Sequence, residues 1–208
     1  MTESKYRAAR LRGGAAVLAL AAAVIASGCA PVLIGGAVVG TGMVYTDRRT
    51  SGAQLEDQNI ELKSGGALGA IADRGHVSVT SYNRMVLITG EVPTENDRVA
   101  AEQAIARLEN VRSTVNELAV MANSSTSARS NDAYLLSKIK AAHVGADGLQ
   151  STAIKVVVER GNAYLMGRVT EREAGIAVEM ARGVDGVRKV IRVFEILTEA
   201  ELAALQPK

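Results

Sequence analysis

The feature that most constrains this 208-residue chain is that its greater part is written twice. Val86-Leu87-Ile88-Thr89-Gly90-Glu91-Val92 returns 77 residues later as Ala163-Tyr164-Leu165-Met166-Gly167-Arg168-Val169, with Gly and Val at equivalent places. Upstream, Val77-Ser78-Val79-Thr80 matches Ile154-Lys155-Val156-Val157, and Asn83-Arg84 and Arg160-Gly161-Asn162 supply turn residues between the runs. Apolar alternation on both sides of so short a polar turn predicts a β-hairpin in each copy. The fold question therefore reduces to what one such unit can bury, alone or against its twin.

The same order continues downstream. Thr94 with Asp97 and Thr170 with Glu173 each set an N-cap residue three positions ahead of an acid, predicting helices over 94–108 and 170–184. Val99, Ala101, Ile105 and Leu108 fall on one face of the first of these. Strands are expected at 114–120 and 190–196, and each copy opens with a helix, about 55–71 and 132–143. The order is αββαβ, so the fold class is α+β: two tandem domains, each a small three-stranded sheet packed against two helices. A unit of about 70 residues has a small core and marginal stability, which packing two copies together would ease.

The amino terminus has a different character. Lys5, Arg7, Arg10 and Arg12 precede a stretch from Gly13 to Thr46 without a charged side chain, apolar throughout from Ala15 to Ala26. That pattern fits a secretory signal peptide. Ala26-Ser27-Gly28-Cys29 resembles the bacterial lipobox, in which the cysteine thiol is acylated and becomes the first mature residue; Ala26 stands where leucine is usual. The alternatives are a soluble secreted form and an uncleaved membrane helix, the latter because the uncharged stretch exceeds the roughly 20 residues that span a bilayer. Pro31, Gly35, Gly36, Gly40 and Gly42 interrupt it. By lipoprotein sorting rules, Ala30 after the cysteine implies the outer membrane. The expected organisation is a signal peptide (1–28), a lipidated Gly-rich tether (29–52), a first domain (53–121), a polar linker (122–131), a second domain (132–197) and a short C-terminal helix with a tail (198–208).

Leu87-Ile88-Thr89-Gly90-Glu91-Val92 and the run Leu165 to Ala174, which holds Gly167, Val169, Thr170 and Glu173, resemble the signature of the BON domain. With the lipobox, the Thr46-Asp47-Arg48-Arg49-Thr50 segment and Ser130-Asn131-Asp132, the whole chain resembles the dual BON-domain outer-membrane lipoproteins. The resemblance implies a lipid-anchored protein that faces the periplasm, binds anionic phospholipid and helps to maintain outer-membrane integrity. Its alternative is an envelope scaffold contacting outer-membrane assembly machinery or other periplasmic proteins.

Charge separates the copies. Residues 52–121 hold 6 basic and 10 acidic side chains, net −4, whereas residues 129–197 hold 11 and 8, net +3. Only the second should be drawn to an anionic lipid surface. In its opening helix, Leu135, Leu136 and Ile139 can face the core, leaving Tyr134 and Lys138, four residues apart, on a neighbouring face. An aromatic ring with a polar tip beside an ammonium suits the headgroup layer. In the resembled family an aromatic at the start of this helix serves lipid binding, and Tyr134 occupies the matching place. The candidate phospholipid-binding set is Tyr134, Leu135, Lys138 and Lys140, with Cys29 as the lipidation site.

Other chemistries find little support. Lys+Arg number 24 against 22 Asp+Glu and aromatics are 3%, so neither a polycation nor a stacking platform for nucleic acid is expected. One cysteine and two histidines, His76 and His143, give no thiolate cluster, no metal site and no catalytic triad. No cofactor is expected, and the chain is expected not to be an enzyme. Glu171 and Glu173 have the spacing of a helix start, His143 ends a helix where a cation is favourable, and Gly90 and Gly167 are expected to be structural.

Overall fold

A computed structural model describes residues 47–205. The signal segment, Cys29, the tether as far as Thr46 and the last three residues lie outside the described residues.

The first copy comprises α1 (Ser51–Leu68), α2 (Ala70–Arg74), β1 (His76–Tyr82), β2 (Met85–Val92), α3 (Glu95–Ala106), β3 (Ser113–Asn116) and β4 (Ala119–Val120). The second comprises α4 (Thr126–Val144), a 3-10 turn (Ser151–Ala153), β5 (Ile154–Glu159), β6 (Asn162–Thr170), α5 (Glu171–Arg182) and β7 (Lys189–Leu197); α6 (Glu199–Leu205) follows. The α+β class and the αββαβ order are as expected, and three local differences have physical causes. Gly69, at φ 48°, ends the opening helix at Leu68 and starts α2, where a single helix to Ile71 is expected. The last strand of the first sheet breaks at Glu117 and Leu118, because Leu118 turns into the core at 5% exposure. Helix α4 begins at Thr126, six residues early: the Ser125 hydroxyl accepts the Ala128 N–H at 3.2 Å. A polar cluster that suits a linker is here a helix start, since the same residue types serve both.

The hairpins form as predicted. Asn83 and Arg84 have φ of 49° and 65°, Arg160 and Gly161 φ of 52° and 73°, the left-handed pair that matches strand twist in a two-residue turn. Three of these four residues are not glycine, and a buried carboxylate holds each turn in place. Asp57 of α1 accepts the N–H groups of Asn83 and Arg84 at 2.8 and 2.7 Å; Asp132 of α4 accepts those of Arg160 and Gly161 at 2.8 and 2.7 Å. The expected caps are also present: Thr94 accepts the Asp97 N–H, and Thr170 with Glu173 forms a reciprocal capping box. Thr198 and Glu201 do the same at α6.

In each sheet the central strand pairs antiparallel with its hairpin partner and parallel with the strand beyond the crossover helix. Alternation then decides the layers. Val86, Ile88 and Val92 of β2 pack under α1 and α3, and Ala163, Leu165 and Val169 of β6 pack under α4 and α5. The residues between them point the other way. Leu87 and Tyr82 of the first copy meet Tyr164, Met166 and Val193 of the second in one further buried cluster. The two sheets are thus packed face to face, and the chain is layered helix, sheet, sheet, helix. Gly90 (φ 113°) and Gly167 lie where a Cβ would run into backbone carbonyls, that of His76 in the neighbouring β1 and that of Ala153 in the 3-10 turn that leads into β5, which accounts for both glycines.

Candidate functional site

Helix α4 divides as its sequence predicts, with two corrections. Tyr134 is 61% exposed, and the Lys138 ammonium lies 5.5 Å from its ring centroid, a cation–π contact across one turn. Leu135 does not belong to this surface. It is 2% exposed, sits in the core with Ile139 and Ala177, and packs on Gly186, so it holds the helix down rather than meeting a ligand. Lys140 is exposed but stands about 200° around the helix from Lys138. It lines a separate groove with Val144, Thr152 and Ile154. The structure therefore joins Tyr134 to Lys138 and sets Lys140 apart.

The charge contrast grows once pairing is counted. Among the described residues of the first copy, every Lys and Arg except Arg107 has an ion-pair partner. In the second, Arg129, Lys138, Lys140, Arg188 and Lys189 have none. Free cations, rather than net charge alone, distinguish the basic copy.

His143 corrects a further expectation. Instead of standing as a cation at a helix end, it is 1% exposed and its Nε2 donates to the Ala177 carbonyl at 3.0 Å. Burial lowers its pKa against the opposing pull of that carbonyl, so it stays neutral in the core.

Where the two copies meet lies a polar system whose members the sequence places in the tether or leaves without a role. Arg48, expected in the flexible tether, is buried: its guanidinium makes two 2.7 Å bonds to the Glu173 carboxylate and donates to the Arg168 carbonyl at 2.8 Å. Burial opposes ionisation of Glu173, yet the Arg48 guanidinium and the Thr170 N–H hold its pKa below the ordinary range. Arg49 binds Asp47 and Asp57 and stacks 4.4 Å over the Tyr82 ring. On the other side, fully buried Glu91 accepts from the Ser124 hydroxyl at 2.5 Å and pairs with Arg160, which also donates to the Gly90 carbonyl at 2.6 Å. These bonds hold the Glu91 pKa down against the effect of burial. The contacts are reciprocal: the segment before each opening helix, and each hairpin turn, reaches the other copy.

Glu159 differs from its neighbours. At 6% exposure it has no hydrogen bond or ion pair among the described residues. Burial and then the nearby Glu91 push its pKa up to about 7. One sequence signal could have flagged it: the repeat sets Glu159 opposite Tyr82, an acid against an aromatic.

Two packed αββαβ units with a capped crossover helix and a Gly-Val strand define the class. The family model for the BON domain matches residues 56–122 and 131–198, and the chain belongs to the BON domain family. It is similar to the outer membrane lipoprotein DolP of Haemophilus influenzae, 34% identical over 181 residues, covering 86% of this chain and 93% of that protein. It is also similar to the 21 kDa hemolysin of Actinobacillus pleuropneumoniae, 30% identical over 151 residues, 71% of this chain and 78% of that one. Two BON domains and the likeness to an outer-membrane lipoprotein mark an outer-membrane-associated envelope protein. No helix among the described residues is long and apolar enough to cross a membrane.

Proposed function

We propose that the chain is a lipid-anchored outer-membrane protein that faces the periplasm and binds anionic phospholipid through α4 of its second BON domain, supporting membrane integrity without catalysing a reaction. Cys29 of the lipobox carries the anchor. One observation carries the binding reading: Tyr134 stands out from a helix whose opposite face is locked in the core, with Lys138 over its ring. The ring suits headgroup depth and the ammonium meets phosphate. The other free cations of this copy add attraction of up to about 1 kcal/mol each near a strongly charged surface.

The test is sedimentation of the mature chain carrying Cys29→Ser, so that acyl chains do not contribute, with phosphatidylglycerol vesicles. Tyr134→Ala with Lys138→Glu should weaken binding by about tenfold or more; unchanged binding would overturn the assignment.

The scaffold reading keeps one observation in its favour. Leu55 and Leu62, seven residues apart on α1 of the acidic copy, are 59% and 79% exposed. Loss of pulldown of outer-membrane proteins by Leu62→Glu, with vesicle binding intact, would favour that reading over lipid binding.

A further inference from the structure

A cleft where the two copies meet holds a carboxyl group, Glu159, that Arg160 and Arg129 favour electrostatically but that makes no direct hydrogen bond or ion pair among the described residues. Glu159 lines it together with His76 of β1 and Arg129 and Asp132 of α4. The charged groups around Glu159 are mostly committed elsewhere. Asp132 holds the N–H groups of the second hairpin turn; Glu91 is bonded to Ser124 and Arg160; Arg160 also donates to the Gly90 and Glu117 carbonyls. Among the described residues, Arg129 alone of the surrounding arginines has no ion-pair partner. The Glu159 side chain is mostly covered while its carboxyl oxygens open onto the cleft, and the equivalent sheet position in the first copy is filled by Tyr82, so the fold itself does not require an acid here.

We propose that this cleft binds a phosphoethanolamine group, its primary ammonium on Glu159 and its phosphate on Arg129. The ligand class follows from the walls. An ammonium with three N–H donors matches a carboxylate that lacks donors, and the planar guanidinium fork matches phosphate. The remaining lining is aliphatic, from Ala133, Leu136 and Val158, so that beside the one imidazole of His76 the cleft has no Phe, Tyr or Trp ring to build a cage. Quaternary ammonium groups are recognised by aromatic cages, so phosphocholine is a poor fit. A carboxyl poised near neutrality is readily converted to the ionised form by an arriving cation. This site is separate from the Tyr134 surface and does not rest on it.

The experiment is a titration of the mature Cys29→Ser chain with soluble O-phosphoethanolamine, followed by the Glu159 carboxyl and His76 ring resonances. A saturable shift is expected, with phosphocholine and glycerol phosphate about tenfold weaker, the size of one charge-assisted hydrogen bond. Glu159→Gln should remove that preference, and Arg129→Gln should weaken all three phosphates. An equal response to the three compounds, or a preference retained in Glu159→Gln, overturns the proposal. Vesicles distinguish the source: a Glu159-dependent gain on adding phosphatidylethanolamine to phosphatidylcholine assigns a lipid headgroup, and a soluble response without that gain assigns a free zwitterion. Tyr134→Ala should leave the soluble titration unchanged, so this site and the anionic-lipid surface stand or fall separately.

Discussion

The two BON domains share a skeleton and differ in what is mounted on it. Asp57 and Asp132 grip the hairpin turns identically, and Ile60, Ser64 and Leu68 are buried at the places of Leu135, Ile139 and His143. On the outer face the pairs diverge. Asn59 stands where the second copy has Tyr134; Lys63, paired with Glu109 at 3.4 Å, stands where it has the free Lys138. Leu55 and Leu62 occupy the places of Ser130 and Ser137. Positions that hold the fold are buried in both copies even where the residue type changes, as from Leu68 to His143, whereas positions facing outward differ, giving an acidic, partly apolar surface and a basic, amphipathic one.

The largest expected difference between equivalent sites concerns the segments that lead into the opening helices. Arg48→Ala strands Glu173 as a buried unpaired charge and should cost about 3–5 kcal/mol in denaturant unfolding. Its counterpart, Asn123→Ala, alters an exposed residue and should stay within about 0.5 kcal/mol. Equal losses would mean that the Arg48 pair does not hold the copies together.

Next comes the Tyr82 and Glu159 contrast. Because the folded-state pKa of Glu159 is raised to about 7, the unfolded chain ionises first on raising the pH. Stability from this group therefore falls between about pH 4.5 and 7 and is level above. Glu159→Gln should be more stable than the parent at pH 8 by about 2 kcal/mol, after allowance for water in the open cleft, and no different at pH 4. A pH-independent gap would show that the carboxyl is not the cause.

The smallest expected effect is the sharpest check on charge. Asn59→Tyr puts an aromatic four residues before Lys63, copying the Tyr134 and Lys138 spacing into the acidic copy. Binding to phosphatidylglycerol vesicles should change less than about twofold, since the added ring has no free cation beside it. A clear gain would mean that the ring suffices.

Much of this fold could be read locally. The hairpins, the Thr94 and Thr170 caps and the α+β order rest on residues a few positions apart, and Tyr134 with Lys138 is a one-turn spacing. What escaped depends on partners far along the chain. Arg48 has the composition of a tether end, and only Glu173, 125 residues away, makes it a buried group. Leu135 and Tyr134 are neighbours in sequence, yet Gly186 lies under one and the other is 61% exposed, with only Lys138 of its own helix over the ring. Ser125 could begin a helix or fill a linker, and its chemistry is the same in either case.

The sheet-to-sheet packing makes this protein the covalent equivalent of a symmetric dimer. A true homodimer would present every outward feature in duplicate, on opposite sides, and would come apart on dilution. Joining the halves in one chain removes the dependence on concentration and frees each half to specialise. The result is a single chain in which one half can carry an acidic surface and the other a basic one, a division that a symmetric dimer cannot have.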